Sequence, residues 1–190
     1  FYASQQSDKP RWPDNVPVIV VVGNDHKGLQ ANYHGTTFLT QTMRGMWNGF
    51  YQKAKQGGLY EVVPVRPNNK QDLEDVFSRF NTGKYKTAAF FHEIVMMNYG
   101  GTLLEPDFLQ HAYELCREHD TAAVDDEIQS CLWHHDLFMF KEWGLEPDFV
   151  AVGKGFPGGE YPTSKIIFNS EYDMLPQFGA LVTNGQEEIS

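Results

Sequence analysis

Two short runs hold the residues that could do covalent chemistry. Residues 121–130 (TAAVDDEIQS) form an apolar run that ends in acid, and residues 148–155 (DFVAVGKG) form one that ends in lysine. Asp126, Glu127 and Gln129 close the first, and Lys154 stands between two glycines just past the second. In an open α/β sheet, ligands bind outside the carboxyl ends of the strands, so an acid and an amine at two such ends can converge on one ligand. Partial burial where an apolar strand runs out disfavours the charged form of an amine and makes it a usable nucleophile. The plainer alternative is a solvated lysine in a turn.

The elements that would position these residues can be read from period and punctuation. Residues 18–22 are a continuous β-branched run closed by Gly23-Asn24-Asp25, as expected of a strand buried on both faces. Next comes a turn-like group, Asn32-Tyr33-His34-Gly35-Thr36-Thr37, ahead of a helix expected over 38–55. An aromatic at such a turn either lies flat on a planar ligand or simply packs. A strand over 59–65 leads to capping candidates Asn68 and Asn69 and a helix with Leu73, Val76, Phe77 and Phe80 on one face, ended by Gly83 as a left-handed cap. A strand over 87–95 carries Glu93 inside its apolar run, where a carboxylate needs a partner. Pro106-Asp107 opens a helix with Phe108, Leu109, Ala112, Tyr113, Leu115 and Cys116 as its apolar face. Beyond the acid strand a helix is expected over 137–143, with Gly144 and Pro147 stopping it, then the lysine strand and a last strand over 163–168. Alternation of this kind predicts an α/β fold, a three-layer arrangement with a mainly parallel sheet and helices on both faces.

Composition sets the outer bounds. The chain has 190 residues, 41% hydrophobic and 14% aromatic, enough to bury a core as one domain or as part of a larger one. Fifteen Lys+Arg against 25 Asp+Glu give a formal charge of -10, with no basic cluster, which argues against nucleic acid as a partner. Cys116 and Cys131 fall within expected regular structure and read as core thiols in a reducing compartment. No apolar stretch approaches a membrane span, and the first residues lack the pattern of a signal peptide, so a cytoplasmic protein without a membrane partner is expected. Residues 1–16 are polar, with Pro10 and Pro13 inside and Pro17 at the edge, and read as a lead-in segment without chemistry.

The segments TAAVDDEIQ, GLEPDFVAVGKGFPGGEYP and ANYHGTT, together with the Glu93 strand and the helix EPDFLQHAYELC, resemble the class III aminotransferases of the pyridoxal-phosphate fold type I superfamily. That resemblance covers most of residues 18–188, and within it residues 17–190 correspond to the central part of the large domain. It implies a pyridoxal 5'-phosphate enzyme that moves an amino group from an amine or amino acid to an oxo-acid or aldehyde, working as a homodimer. Lys154 is then the Schiff-base lysine and Asp126 the partner of the pyridine nitrogen. Gln129 matches the residue that hydrogen-bonds the phenolic oxygen, and Tyr33 the aromatic stacked on the ring, with His34 and Gly35 completing its turn. Glu93 matches a glutamate on the substrate side. In FGALVTNGQEE, Thr183 is the candidate for the threonine that reaches the phosphate of the neighbouring subunit, although a gap-free alignment puts Leu181 there.

The chain also departs from the pattern. Ile94 and Asn98, in VMMNYGG, stand where the family has proline and a second acid, and Trp133-His134-His135-Asp136 replaces a Gly-Arg-Thr-Gly loop. The family's phosphate-binding turn upstream of the Tyr33 region and its smaller C-terminal domain have no counterpart in this sequence. An aminomutase, epimerase or decarboxylase would share the same residues, and a non-enzymatic module or incompetent fragment is the competing class. A metal site from His111, Cys116 and His119, or from His134, His135 and Asp136, is not expected, because Cys116 lies on an apolar face and the second group lacks zinc-site spacing.

Overall fold

The structure, a computed structural model, describes residues 14–23, 48–97, 100–156 and 163–174. Strand β1 is Val16–Val22, and its β-branched side chains suit burial on both faces. Helix α1 (Asn48–Gln56) leads to β2 (Glu61–Val65), and α2 (Lys70–Phe80) leads to β3 (Tyr85–His92). A small antiparallel pair, β4 (Val95–Met96) and β5 (Thr102–Leu103), precedes α3 (Pro106–Glu118) and β6 (Ala122–Asp126). A 3-10 turn over Met139–Trp143 connects to β7 (Phe149–Val152) and β8 (Lys165–Phe168).

The main sheet runs β2-β1-β3-β6-β7-β8, and every pairing is parallel except the last. One face packs Val20, Val22, Phe90 and Ala123 against Leu73 and Phe77 of α2 and Phe108, Leu109 and Ala112 of α3. Val21 and Val62 pack against Tyr51 of α1 in a second cluster. Helices therefore flank the sheet in three layers, as the alternation predicts. Local chemistry fixes the helix starts: Asn69 accepts from the Asp72 N–H at 3.0 Å at the head of α2, and Pro106 begins α3 where an N–H would go unused.

Four local expectations are corrected. Asn81, not Gly83, caps α2: its amide donates to Phe77 O at 2.9 Å, so the left-handed Gly83 (φ 61°) falls later, in the turn into β3. The strand expected over 87–95 stops at His92, and Val95–Met96 turns away to pair with β5. Over 137–143 the chain makes a 3-10 turn, Met139–Trp143, since left-handed Leu137 and Gly144 leave only six residues between them and no residue of the turn is buried. The last strand, β8, is an antiparallel edge with Ile166, Ile167 and Phe168 exposed. Cys116 and Cys131 are free and buried, as their placement implies.

Candidate active site

Three neighbouring parallel strands end side by side. Asp126 is the last residue of β6, Glu93 follows the last residue of β3, and Lys154 lies two residues past β7. Asp126 pairs in register with Ala151, which sets the Asp126 strand end beside the turn that carries Lys154. Period two sends Asp125 and Asp126 to opposite faces, so neighbouring acids serve different surroundings.

Lys154 is exposed and takes a left-handed backbone (φ 51°), although glycines flank it. A non-glycine residue held there costs on the order of 1–3 kcal/mol, and strain of this kind clusters at functional sites. Asp126 is 2% exposed, and its Oδ1 accepts from the Ile128 N–H at 3.0 Å. Burial first, then the neighbouring Asp126 carboxylate, push the Glu93 carboxyl up to about 8, while a backbone hydrogen bond at Met97 and the Lys154 charge pull the other way. Glu93 thus feels both Asp126 and Lys154, and the three sequence candidates meet at one sheet end. Oε2 of Glu93 has no hydrogen-bond partner among the described residues.

Gln129 lies half-buried in the turn after β6. Glu127, which the sequence reading left without a role, holds that turn. Wholly buried, it accepts from Ser130 Oγ at 2.8 Å and from the Phe140 N–H at 2.8 Å, tying the loop to the start of the 3-10 turn. Burial raises its pKa against these hydrogen bonds. The available signal was an acid directly past a strand with serine three residues on, a local hydrogen-bonding pattern. Tyr33, His34, Gly35 and Thr183 lie outside the described residues.

The group His134, His135 and Asp136, discounted on spacing, does bring one ligand atom from each to within 4.8 Å of the others. Both ring nitrogens of His134 are engaged, Nδ1 by the Asp136 N–H at 3.1 Å and Nε2 by Glu142 at 3.0 Å.

This mainly parallel sheet with helices on both faces matches the fold of the pyridoxal-phosphate-dependent aminotransferases of fold type I. Within that class, the chain belongs to the class-III aminotransferases, whose family model matches residues 28–182. It is 36% identical over 142 residues to an ornithine aminotransferase of an Exiguobacterium species, covering 74% of this chain and 34% of that protein. It is 32% identical over 105 residues to the ornithine aminotransferase of Emericella nidulans, covering 55% of this chain and 22% of that protein. The ornithine aminotransferase structure from Toxoplasma gondii ME49 superimposes with a TM-score of 0.64 at 24% identity, over 88% of this chain and 37% of that one. The chain spans between 22% and 39% of the length of the curated relatives it matches.

Proposed function

We propose that the protein containing this chain is a pyridoxal-phosphate-dependent aminotransferase, acting on an amine or amino acid donor and an oxo-acid or aldehyde acceptor, and that this chain supplies the grip on the cofactor ring. The observation that carries the reading is the convergence of Glu93, Asp126 and Lys154 from three adjoining strand ends, with Glu93 coupled to both of the others. The residues fit such a cofactor. A buried carboxylate on one strand and an exposed amine past the next suit a ring nitrogen and an aldehyde carbon on opposite sides. The unpartnered Glu93 Oε2 leaves a polar atom for a ligand.

Bound there, pyridoxal phosphate would supply an electron sink for charge developing at the substrate carbon. Asp126 would hold a proton on the ring nitrogen, since a buried carboxylate favours a cation beside it. Lys154 would hold the cofactor covalently and, once displaced by the incoming amine, carry a proton at Nζ to and from the substrate carbon. Glu93 keeps its own proton up to about pH 8 and so offers an O–H donor where a third charge would be costly. Glu127 fixes the turn that carries Gln129.

The matched relatives are named for ornithine, acetylornithine and diaminobutyrate, which supports amino acids of the diamino kind, free or acetylated, as donors. The resemblance also supports a homodimer, which size-exclusion chromatography of the full protein tests. One observation favours a second reading for the isolated chain: at 22% to 39% of its relatives' length it would bind cofactor too weakly to act alone. The deciding experiment incubates the full protein with pyridoxal phosphate, reduces it with borohydride and maps the modified peptide. Label on Lys154, absent in Lys154→Ala, is expected, and label elsewhere or none would sink the proposal. The same experiment on residues 1–190 alone separates the two readings.

A further inference from the structure

Three buried polar groups beneath the site have no part in the chemistry above. His92 and Asp125 face each other in register on β3 and β6, both wholly buried, with Nδ1 and Oδ1 3.6 Å apart. His92 Nε2 lies 2.9 Å from the Tyr113 hydroxyl of α3, and the ring is held between Phe90 (5.4 Å) and Tyr113 (5.6 Å). The next residue on each strand is a site carboxyl, Glu93 or Asp126. The pair therefore spans the rung directly below the candidate site.

Asp125 is surrounded by acids. Glu93, Asp126 and Glu127 act on it from the ends of β3 and β6, and Tyr113, which shares its surroundings with Cys116 and Asp148, is the titratable group facing it from α3. No cation among the described residues is coupled to it, and neither of its oxygens has a hydrogen-bond donor among them. An ionised Asp125 would be one more carboxylate in a dry, already acidic sheet end. A charged His92 could answer it, but burial lowers the His92 pKa to about 3. Burial and the three carboxyls push Asp125 well above the usual carboxylate range.

We propose that Asp125, His92 and Tyr113 form an uncharged strut, with a protonated Asp125 facing Nδ1 of a neutral His92, and that this strut is a positioning element setting the spacing of Glu93 and Asp126. The 3.6 Å separation lies just beyond hydrogen-bond reach. The proton assignment stands without any cofactor; the positioning role rests on the functional reading above.

The test uses the full protein and three variants, Asp125→Asn, Asp125→Ala and His92→Ala. A carboxyl whose folded pKa is raised contributes stability that is complete below its unfolded pKa and is lost as pH rises, about tenfold in the folding constant per pH unit. Asp125→Asn removes that loss. Urea unfolding at about pH 6 and about pH 8.5 should therefore show Asp125→Asn gaining at least about tenfold on wild type between the two pH values. Histidine-labelled wild type should show the His92 ring neutral across this range in NMR. A buried imidazolium, a wild type that gains on Asp125→Asn with rising pH, or failure of Asp125→Asn to fold would each overturn the uncharged assignment, since an amide mimics a protonated carboxyl. Cofactor affinity, read by fluorescence, should stay within about threefold of wild type in Asp125→Asn and weaken about tenfold or more in the two alanine variants. Equal affinity in all of them overturns the positioning role. No cofactor binding by wild type overturns the functional reading and the positioning role together, while the pH arm still decides the proton assignment.

Discussion

The two ends of the central strands treat polar groups in opposite ways. At the amino end of β3 and β6, Asn81 Oδ1 accepts from the Thr87 N–H (3.2 Å), the Thr87 hydroxyl (2.9 Å) and Lys86 Nζ (3.0 Å), and the Thr87 and Thr121 hydroxyls meet at 2.6 Å. Lys86 also donates to His119 O, and Thr121 to Thr87 O at 3.1 Å. Next to them, Asp148 accepts from the Ala123 N–H at 2.8 Å and from Asn169 at 3.2 Å. At the carboxyl end, His92 Nδ1, Glu93 Oε2 and both Asp125 oxygens lack hydrogen-bond partners among the described residues. A buried polar group left unmatched costs about 1–3 kcal/mol, so a fold keeps such groups where something else is gained. One end satisfies its polar groups among themselves, and the other leaves several of them open.

The sharpest break between the ends should come from the groups proposed to touch the cofactor. Lys154→Ala and Asp126→Asn should each lower amino transfer by roughly 10²–10⁴-fold. Their urea midpoints should stay near wild type, because exposed Lys154 gives up little packing and an amide oxygen at position 126 can still accept from the Ile128 N–H. A large stability loss in Lys154→Ala would mean that this end is structural after all.

The closed end should show the reverse. Asn81→Ala strips one acceptor from three donors, and with Thr87 wholly buried it should cost about 2–4 kcal/mol in urea unfolding. Cofactor attachment at Lys154 should be unchanged, as judged by borohydride labelling at a urea concentration where the variant is still folded.

How far these ends could be read from sequence depended on whether the signal was local. Asp126 and Lys154 were legible because each ends an apolar run just before a turn, and a run of four to eight apolar residues marks a buried parallel strand. The caps Asn69 and Pro106 were legible for the same reason. The strut was not, because His92 and Asp125 become neighbours only through the register of two strands more than 30 positions apart. The Asn81, Thr87 and Thr121 network is hidden for the same cause, and Gly83 misled because an asparagine side chain had already satisfied the helix end. Glu127 was passed over because an acid after a strand reads as solvated until the loop folds back over it.

A smaller contrast is expected in pH dependence. The Glu93 carboxyl is raised to about 8, so its stabilising contribution is complete below the unfolded value near 4.5 and is lost as pH rises towards 8. Glu93→Gln should flatten the fall in stability over that window, where each fully uncompensated pH unit is worth about 1.4 kcal/mol. No variant at the amino end should change this slope. An unchanged slope in Glu93→Gln would show that Glu93 is ionised in the folded protein and that the two ends differ less than their hydrogen bonds suggest.

The finest comparison lies within the closed end itself. Thr87 and Thr121 are 0% and 4% exposed, and each hydroxyl has more than one partner: Thr87 Oγ1 reaches Asn81 and Thr121, while Thr121 Oγ1 also donates to Thr87 O. Thr87→Val and Thr121→Val replace a hydroxyl by a methyl of similar shape, so each single change leaves the other hydroxyl with a remaining partner. Each single change already loses the bond between the two hydroxyls, and the double change loses it only once. A double-mutant cycle should therefore give a favourable coupling of about 0.5–1.5 kcal/mol. The corresponding cycle for Asp125→Asn with His92→Gln, across the strut, should give a coupling of similar size only if that pair is uncharged, because separating a buried ion pair costs about 3–5 kcal/mol. Equal couplings would make the strut the one part of the carboxyl end built like the amino end, and a much larger one would mark it as an ion pair.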